Sequence, residues 1–199
     1  MSKTYGRTAL AMVAAATLGL ILTTGCRVDE HKNGGSEDVK IATPFGGMSV
    51  KTDQASVVDG VGLTVYPGAV VVKKDKDNGA ADVNMSFGSF HLGVKAISYK
   101  TPDPPDKVMA FYRKDMARYG AVVLCHGSHA VGTPDHTQDG LSCDKQHVQV
   151  DADSAEDELK TGSKQHQHIV SINPDGTGTK FGLIALDLPN HLDGDKDSQ

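Results

Sequence analysis

The 199-residue sequence contains no tryptophan, few aromatic residues and only three cysteines. It also lacks a long apolar segment after Cys26, and a membrane-spanning helix needs about 20 such residues, so no span is predicted there. Basic residues are outnumbered, with 20 Lys and Arg against 25 Asp and Glu. Because affinity for a phosphate backbone comes mainly from clustered Lys and Arg, nucleic acid is not an expected partner.

The N-terminus is typical of a secretory signal peptide. Lys3 and Arg7 form a basic start, and the uncharged run over residues 9–24 is shorter than the ~20 residues of a spanning helix. The run ends at Gly25-Cys26, and the segment LTTGC resembles the lipobox of bacterial lipoproteins, in which small residues precede the lipid-bearing cysteine. The sequence therefore predicts a lipoprotein signal peptide over residues 1–25 and lipidation, such as by palmitate, at Cys26.

Two alternatives stay open for this segment, an uncleaved membrane anchor and cleavage by the ordinary signal peptidase. The lipobox family usually has Leu three residues before the cysteine, whereas this chain has Thr23 there and Leu22 one position further back. Cleavage before Cys26 would leave 18 Lys and Arg against 25 Asp and Glu, a net charge of −7. The expected location is outside the cytoplasm, on a membrane and facing the periplasm or the cell exterior.

The three cysteines divide into one lipid site and one pair. With Cys26 assigned to the lipid, Cys125 and Cys143 remain in a compartment where disulfides persist. A disulfide between them is predicted, and closing a loop of that length stabilises a fold by roughly 3 kcal/mol in the chain-entropy model. The alternative is two free, buried thiols.

The chain after the signal peptide is predicted to contain one folded domain. Residues 26–38 are charged, contain glycine and show no hydrophobic period, which predicts a flexible tether. Residues 39–188 are one domain's worth of chain, with an N-terminal hairpin segment over 39–60. Residues 189–199 are predicted to be an acidic, disordered tail.

One main helix is predicted, over about residues 104–119. Asp103 is an N-cap candidate, prolines occupy the first turn, and Gly120 follows the last turn. Apolar residues recur at three- and four-residue intervals, as on the buried stripe of a helix: Val108, Phe111 or Tyr112, Met116 and Tyr119. Short strands and turns fill the remainder, so the predicted fold is α+β, an antiparallel sheet with this helix packed across one face.

Four segments together resemble a group of small, uncharacterised bacterial envelope proteins. They are VKIATPFGGMSVKTD, VYPGA, TPDPPDKVMAFYRKDMARYG and QHQHIVSINPDGTGTKFGLIAL, and they lie within residues 39–188. The YPGA turn and the DPPDKV helix start with its Phe-Tyr pair are the most distinctive. The resemblance implies a single exported domain and supports the disulfide, but it implies no activity, substrate or catalytic residue.

Histidines are the leading candidates for a metal site. His166 and His168 lie two apart in a predicted strand, so both side chains are expected on one face. Three more histidines lie between Cys125 and Cys143, but the spacings match no closed zinc motif, and oxidised cysteines cannot ligate zinc. No metal or other cofactor is therefore expected, and His166 and His168 are kept as candidates only.

The sequence predicts a non-enzymatic binding or structural module, anchored to a membrane and contacting an unknown envelope protein or cell-wall partner. The segment Gly127-Ser128-His129 lacks the second glycine of a nucleophile elbow. Acidic segments that imitate a calcium loop lack its glycine and its final Glu. One alternative function is metal handling through the surface histidines. A second is a small hydrolase, which would require a Ser, His and Asp arrangement formed only by the fold.

Overall fold

The computed structural model describes residues 26–33, 36–73, 79–143 and 157–189. The signal peptide predicted over residues 1–25 and nearly all of the acidic tail predicted over 189–199 lie outside the described residues. Neither of the two α-helices in the described part is long and apolar enough to cross a membrane. In chain order the elements are β1 (Arg27–Asn33), β2 (Ser36–Thr43), β3 (Gly46–Lys51), α1 (Gln54–Val61), β4 (Val70–Val71), β5 (Ala80–Phe87), β6 (Phe90–Thr101), α2 (Pro105–Met116), a 3-10 turn (Ala117–Tyr119), β7 (Val123–His126), β8 (His129–Ala130), β9 (Asp157–Gly162), β10 (His166–Asp175) and β11 (Gly178–Asp187).

The strands form one antiparallel sheet, and the structure is mostly sheet with two helices, which is broadly compatible with the predicted antiparallel α+β class. The strand order is β1-β2-β3-β5-β6-β11-β10-β9-β7-β8, with β4 paired to β6. The last strand therefore lies in the middle, where Phe181 of β11 pairs with Tyr99 of β6 on one side and Ile172 of β10 on the other. β10 and β11 form a hairpin whose turn is Gly176-Thr177, because Asn173, Pro174 and Asp175 are still paired with β11.

The flexible tether predicted over residues 26–38 is wrong for its described part. The chain enters β1 directly after Cys26, and β1 pairs with β2 along its whole length. The pairing sets Val28 opposite Ile41 and Glu30 opposite Val39. Composition alone misled the prediction, because charged residues are common on an edge strand, where one face and one edge are in contact with water.

A second helix, α1, occupies the end of the segment predicted as a hairpin over 39–60. Asp53 caps it, its carboxylate accepting a hydrogen bond from the Ser56 backbone N–H at 2.9 Å. Gly62 ends it in the left-handed region with φ 72°. Val57 and Val61, one turn apart, are fully buried. The cap residues Asp53 and Gly62 are visible in the sequence. No helix was predicted between them, because the β-branched valines have weak helix propensity.

The main helix α2 forms close to its predicted position. It covers Pro105–Met116, and the 3-10 turn extends the helical path to Tyr119 before Gly120. Asp103 does not cap it: Pro104 occupies the N-cap position, and no side chain makes a capping hydrogen bond to this helix. The Asp103 carboxylate instead accepts hydrogen bonds from the Tyr66 hydroxyl at 2.7 Å and from the Lys107 ammonium at 3.1 Å.

The main core combines side chains from both helices and from the central strands. Its members are Val57, Val61, Leu63, Tyr66, Ala80, Ile97, Tyr99, Val108, Tyr112, Met116, Leu159, Val170, Ile172, Phe181 and Leu183. Of the predicted helical stripe, Val108, Tyr112 and Met116 are fully buried, while Phe111 is partly buried against the same cluster. The periodicity therefore identified the buried positions within α2, but the last member of the stripe, Tyr119, lies in the 3-10 turn and is 37% exposed.

A second apolar cluster lies on the opposite face of the sheet. Ile184 and Leu186 alternate along β11 with the main-core residues, and alternate residues of a strand point to opposite faces. The cluster consists of Ile169, Ile184, Leu186 and Leu188, with partly buried Leu92, Val94 and Ala96 against it. In β5, Met85 pairs with Leu92 and Val83 with Val94, so the second apolar face continues toward β1.

Candidate functional site

Cys26, the predicted lipid site, is exposed and not disulfide-bonded. It is followed at once by Arg27, which pairs with Ala42 at the end of β2. Because β1 is the outermost strand at this side of the sheet, a group attached to Cys26 would meet the folded domain without a spacer. The structure thus presents Cys26 in an accessible position at one corner of the sheet.

Cys125 and Cys143 form the predicted disulfide. The sulfur–sulfur distance is 2.03 Å and the Cα–Cα distance is 5.5 Å. Both residues are buried beside Val123 in a small cluster of their own. The bond fixes the segment after β8 to strand β7, and the alternative of two free thiols is excluded. Neither sulfur is available as a thiolate ligand or nucleophile in this oxidised form.

The two candidate metal ligands, His166 and His168, engage different partners. The Nδ1 atom of His166 lies 2.8 Å from the Asp187 carboxylate, and the His166 ring is largely exposed. His168 turns inward and stacks on Tyr119, with ring centroids 3.9 Å apart. Throughout the described ranges, no three His, Cys, Asp or Glu residues are grouped as a metal site would require. The two histidines are thus not assembled with a third ligand among these residues.

The other paired histidines lie on the surface. His126 contacts the Asp157 carboxylate at 3.0 Å, and His136 contacts that of its neighbour Asp135 at 2.6 Å. Ser128 is in the turn between β7 and β8, where its neighbours are exposed. Surface pairs of this kind contribute little to stability, with a median of about 0–1 kcal/mol.

The most distinctive polar arrangement surrounds the half-buried ring of His168. The Arg118 guanidinium lies 5.0 Å from the centre of the Tyr119 ring, and the same ring stacks on His168. The Tyr119 hydroxyl and Arg118 both donate hydrogen bonds to the carbonyl of Gly62. A Cβ at Gly62 would lie 2.9 Å from the Tyr119 hydroxyl, so both the positive φ and this contact favour glycine.

Burial lowers the pKa of His168 below its usual value, and the charge of Arg118 acts in the same direction. A hydrogen bond with the Val61 backbone and the charge of Asp187 oppose the shift. The Nδ1 atom is buried without a hydrogen-bond partner, which fits a neutral ring that bonds Val61 through its other nitrogen. The lowered pKa favours the neutral form of this imidazole, which lies between a helix end and the sheet.

We expect the stability of the fold to decrease as the pH falls below about 6.5, partly because of His168. Well above that pH the ring is neutral in both the folded and the unfolded chain and adds no pH dependence. Below it the unfolded chain binds the proton first, since its His168 pKa is the higher one. Denaturant unfolding between about pH 7.5 and 5 should show a weaker decline for His168→Gln than for wild type. The exposed control His129→Gln should keep the wild-type decline, and an equal decline in all three proteins would contradict the assignment.

Sequence reasoning missed a group of exposed phenylalanines at the corner that carries Cys26. Phe45 is 85% exposed in the turn between β2 and β3, and Phe87 and Phe90 flank the turn between β5 and β6 at 44% and 38%. The two turns are neighbours, because Gly46 pairs with Phe87 and Phe87 pairs with Phe90. We call Phe45, Phe87 and Phe90 the phenylalanine rim. A signal was available in the sequence, namely a Phe in each of two uncharged, glycine-containing turns.

Comparisons of this chain with protein-family models, with curated proteins and with solved structures find no match.

Proposed function

We propose that the chain is an exported, lipid-anchored envelope protein whose domain acts by binding or as a structural module rather than by catalysis. The distribution of the cysteines carries this proposal. Cys125 and Cys143 are joined, and disulfides of this kind are typical of exported proteins. Cys26 is exposed and not disulfide-bonded, directly before β1, and the basic start, the apolar run and the lipobox-like LTTGC segment predict a lipid at this residue.

The anchored unit is proposed to be one α+β domain that starts at β1 rather than at residue 39. Support comes from the pairing of β1, β2 and β3 with the central strands in one sheet. We propose that α2 packs across one face of that sheet, since Val108 and Met116 share the main core with Phe181. The resemblance of four segments to small bacterial envelope proteins agrees with a single exported domain.

A binding role is supported by the exposed phenylalanine rim, because large apolar side chains grouped on a surface commonly mark a contact site. The metal-handling alternative gains no support of its own, since His166 pairs with Asp187 while His168 stacks on Tyr119. The proposed partners are the membrane, reached through the lipid, and an envelope protein or cell-wall component.

Metabolic labelling with palmitate tests the anchor. Cells that express the full chain should incorporate label into it, because a lipidated Cys26 carries fatty acyl groups. Cys26→Ala should abolish the labelling. The neighbouring variant Arg27→Ala should retain it, which shows that the loss reflects the thiol and not a disturbed corner of the sheet. Label that persists in Cys26→Ala, or is absent from the wild-type chain, would contradict the proposal.

A further inference from the structure

The phenylalanine rim and Cys26 lie at the same end of the sheet. The register runs across five strands from Arg27 to Ala42, Gly47, Ser86 and His91. Cys26 is one residue beyond the first position of this row, and Phe87 and Phe90 are one residue beyond its last two. Phe45 lies in the turn that closes β2 and β3 at that end. The proposed lipid and the three rings therefore lie at the same end of the sheet.

The rim contains an unusual share of the chain's phenylalanine. The sequence has five phenylalanines, and three of them are the exposed rim residues. The other two lie inside, with Phe181 in the main core and Phe111 packed against it. Phe87 and Phe90 also extend the second apolar face, because each lies two residues along its strand from Met85 or Leu92. The exposed rings thus continue an apolar surface.

Charge is absent from the two hairpin ends that bear the rim. Residues 41–50 and 83–94 include no Asp, Glu, Lys or Arg, and the one titratable side chain, His91, has its Nδ1 atom 3.0 Å from the Ser86 hydroxyl. Charged residues resume at the other end of the same strands, where Lys51 pairs with Asp82 and Asp82 with Lys95. Burying these two hairpin ends in an apolar medium would therefore remove no formal charge from water. The nearest charges in the row are those of Arg27 and its ion-pair partner Asp29, on the outer strand β1.

The turn that carries Phe45 is held in place by hydrogen bonds. The Thr43 hydroxyl donates to the carbonyl of Gly46 at 2.8 Å and accepts from the backbone N–H of Phe45 at 3.3 Å. Gly46 has no room for a side chain, because an added Cβ would lie 2.1 Å from the carbonyl oxygen of Ser86. The ring of Phe45 is therefore presented on an ordered turn, and little conformational entropy has to be lost when it is buried.

We infer that the phenylalanine rim inserts into the surface of the lipid bilayer to which Cys26 is anchored. The domain then contacts the membrane through the end of the sheet that carries Cys26 and the rim. The inference rests on the proposed function, since the lipid on Cys26 would hold the rim at the bilayer. Two or more acyl chains on Cys26 would hold the chain at the bilayer by themselves, and burial of the rim would add to that binding and fix which end of the domain faces the lipid. A bilayer is favoured over a protein partner because the uncharged hairpin ends lie at the same end of the sheet as the residue that would carry the lipid.

The absence of tryptophan from the chain allows a direct test with single reporters. The full chain carrying Phe45→Trp or Phe87→Trp is purified from membranes and reconstituted into phosphatidylethanolamine and phosphatidylglycerol vesicles, with or without bromine on the acyl chains. The tryptophan fluorescence of both reporters should have a shorter emission wavelength in vesicles than in the unfolded protein. Brominated lipid should reduce the intensity of this fluorescence several-fold. Val70→Trp is the matched control, because Val70 is 55% exposed and pairs with Lys100 at the other end of β6. Its emission should not depend on bromine.

The outcomes separate this inference from the proposed lipid anchor, because intact mass reports acylation of Cys26 in the same samples. Rim reporters that brominated lipid does not quench, in protein whose Cys26 is acylated, would overturn the inference and leave the anchor standing. Rim reporters whose emission is blue-shifted but not quenched would indicate that a protein partner or a second copy of the chain covers the rim. This result also overturns the inference. Quenching of the rim reporters in protein whose Cys26 is unmodified would support insertion of the rim into the bilayer, while the proposed lipid anchor fails.

Discussion

Phe181→Ala should lower the free energy of unfolding by about 3–5 kcal/mol, the usual cost of removing a buried phenylalanine side chain. The ring is 1% exposed in the central strand β11. Its centroid lies 5.5 Å from those of Tyr99 and Tyr112 and 6.1 Å from that of Tyr66. Truncation therefore leaves a cavity at the place where the sheet, α2 and the chain before β4 meet.

Phe45→Ala is the matched control for this prediction. It removes the same atoms from a ring that is 85% exposed, so the free energy of unfolding should change by no more than about 0.5 kcal/mol. Both variants and the wild-type chain are unfolded with urea and compared at one pH. A larger loss for Phe45→Ala than for Phe181→Ala would mean that the main core is misassigned.

Removal of the disulfide should have a comparable effect. The double variant Cys125→Ala/Cys143→Ala should lose roughly 2–5 kcal/mol of stability, as is typical when a small exported domain loses a native disulfide. The two cysteines are 18 positions apart, so the bond restricts a sizeable loop of the unfolded chain. Both side chains are also buried beside Val123, and their loss removes packing there.

Cys26→Ala provides the control for the double variant, because Cys26 is exposed and not disulfide-bonded. Its stability should equal that of the wild type. Alkylation of the native protein with iodoacetamide should leave Cys125 and Cys143 unmodified until a reductant is added. Two alkylated sulfurs in native protein without reductant, or a double variant as stable as wild type, would contradict the role given to the bond.

The parts of the fold that were predicted correctly are those with strong local or compositional signals. Helix α2 has prolines at its start, a stripe through Val108, Tyr112 and Met116, and Gly120 after it. The strands on either side of Pro44-Phe45 have turn residues between them. The disulfide followed from the number of cysteines once Cys26 was set aside. None of these features depends on long-range pairing.

The features that the sequence did not reveal depend on partners far away in the chain. β1 is a strand because β2 pairs with it, and its charged composition is that of an edge strand. Helix α1 is stabilised by burial of Val57 and Val61 in the main core, which outweighs the weak helix propensity of valine. Tertiary packing therefore decided both elements against their local composition.

The candidate sites show the same division. The spacing of His166 and His168 predicted one strand face but could not show that Asp187 pairs with the first and Tyr119 stacks on the second. The phenylalanine rim is assembled from two hairpins more than 40 positions apart, whose turns become neighbours only through the pairing of β3 with β5. Both arrangements arise from the order of strands in the sheet, which a single sequence does not specify.

Intact-mass measurement of the chain extracted from membranes tests the central claim most directly. The proposal predicts a mature chain that begins at Cys26 and carries the added mass of a diacylglyceryl group, with or without a third acyl chain, together with two hydrogens fewer for the Cys125–Cys143 bond. A chain that begins at any other residue, or one that begins at Cys26 without added mass, would contradict it.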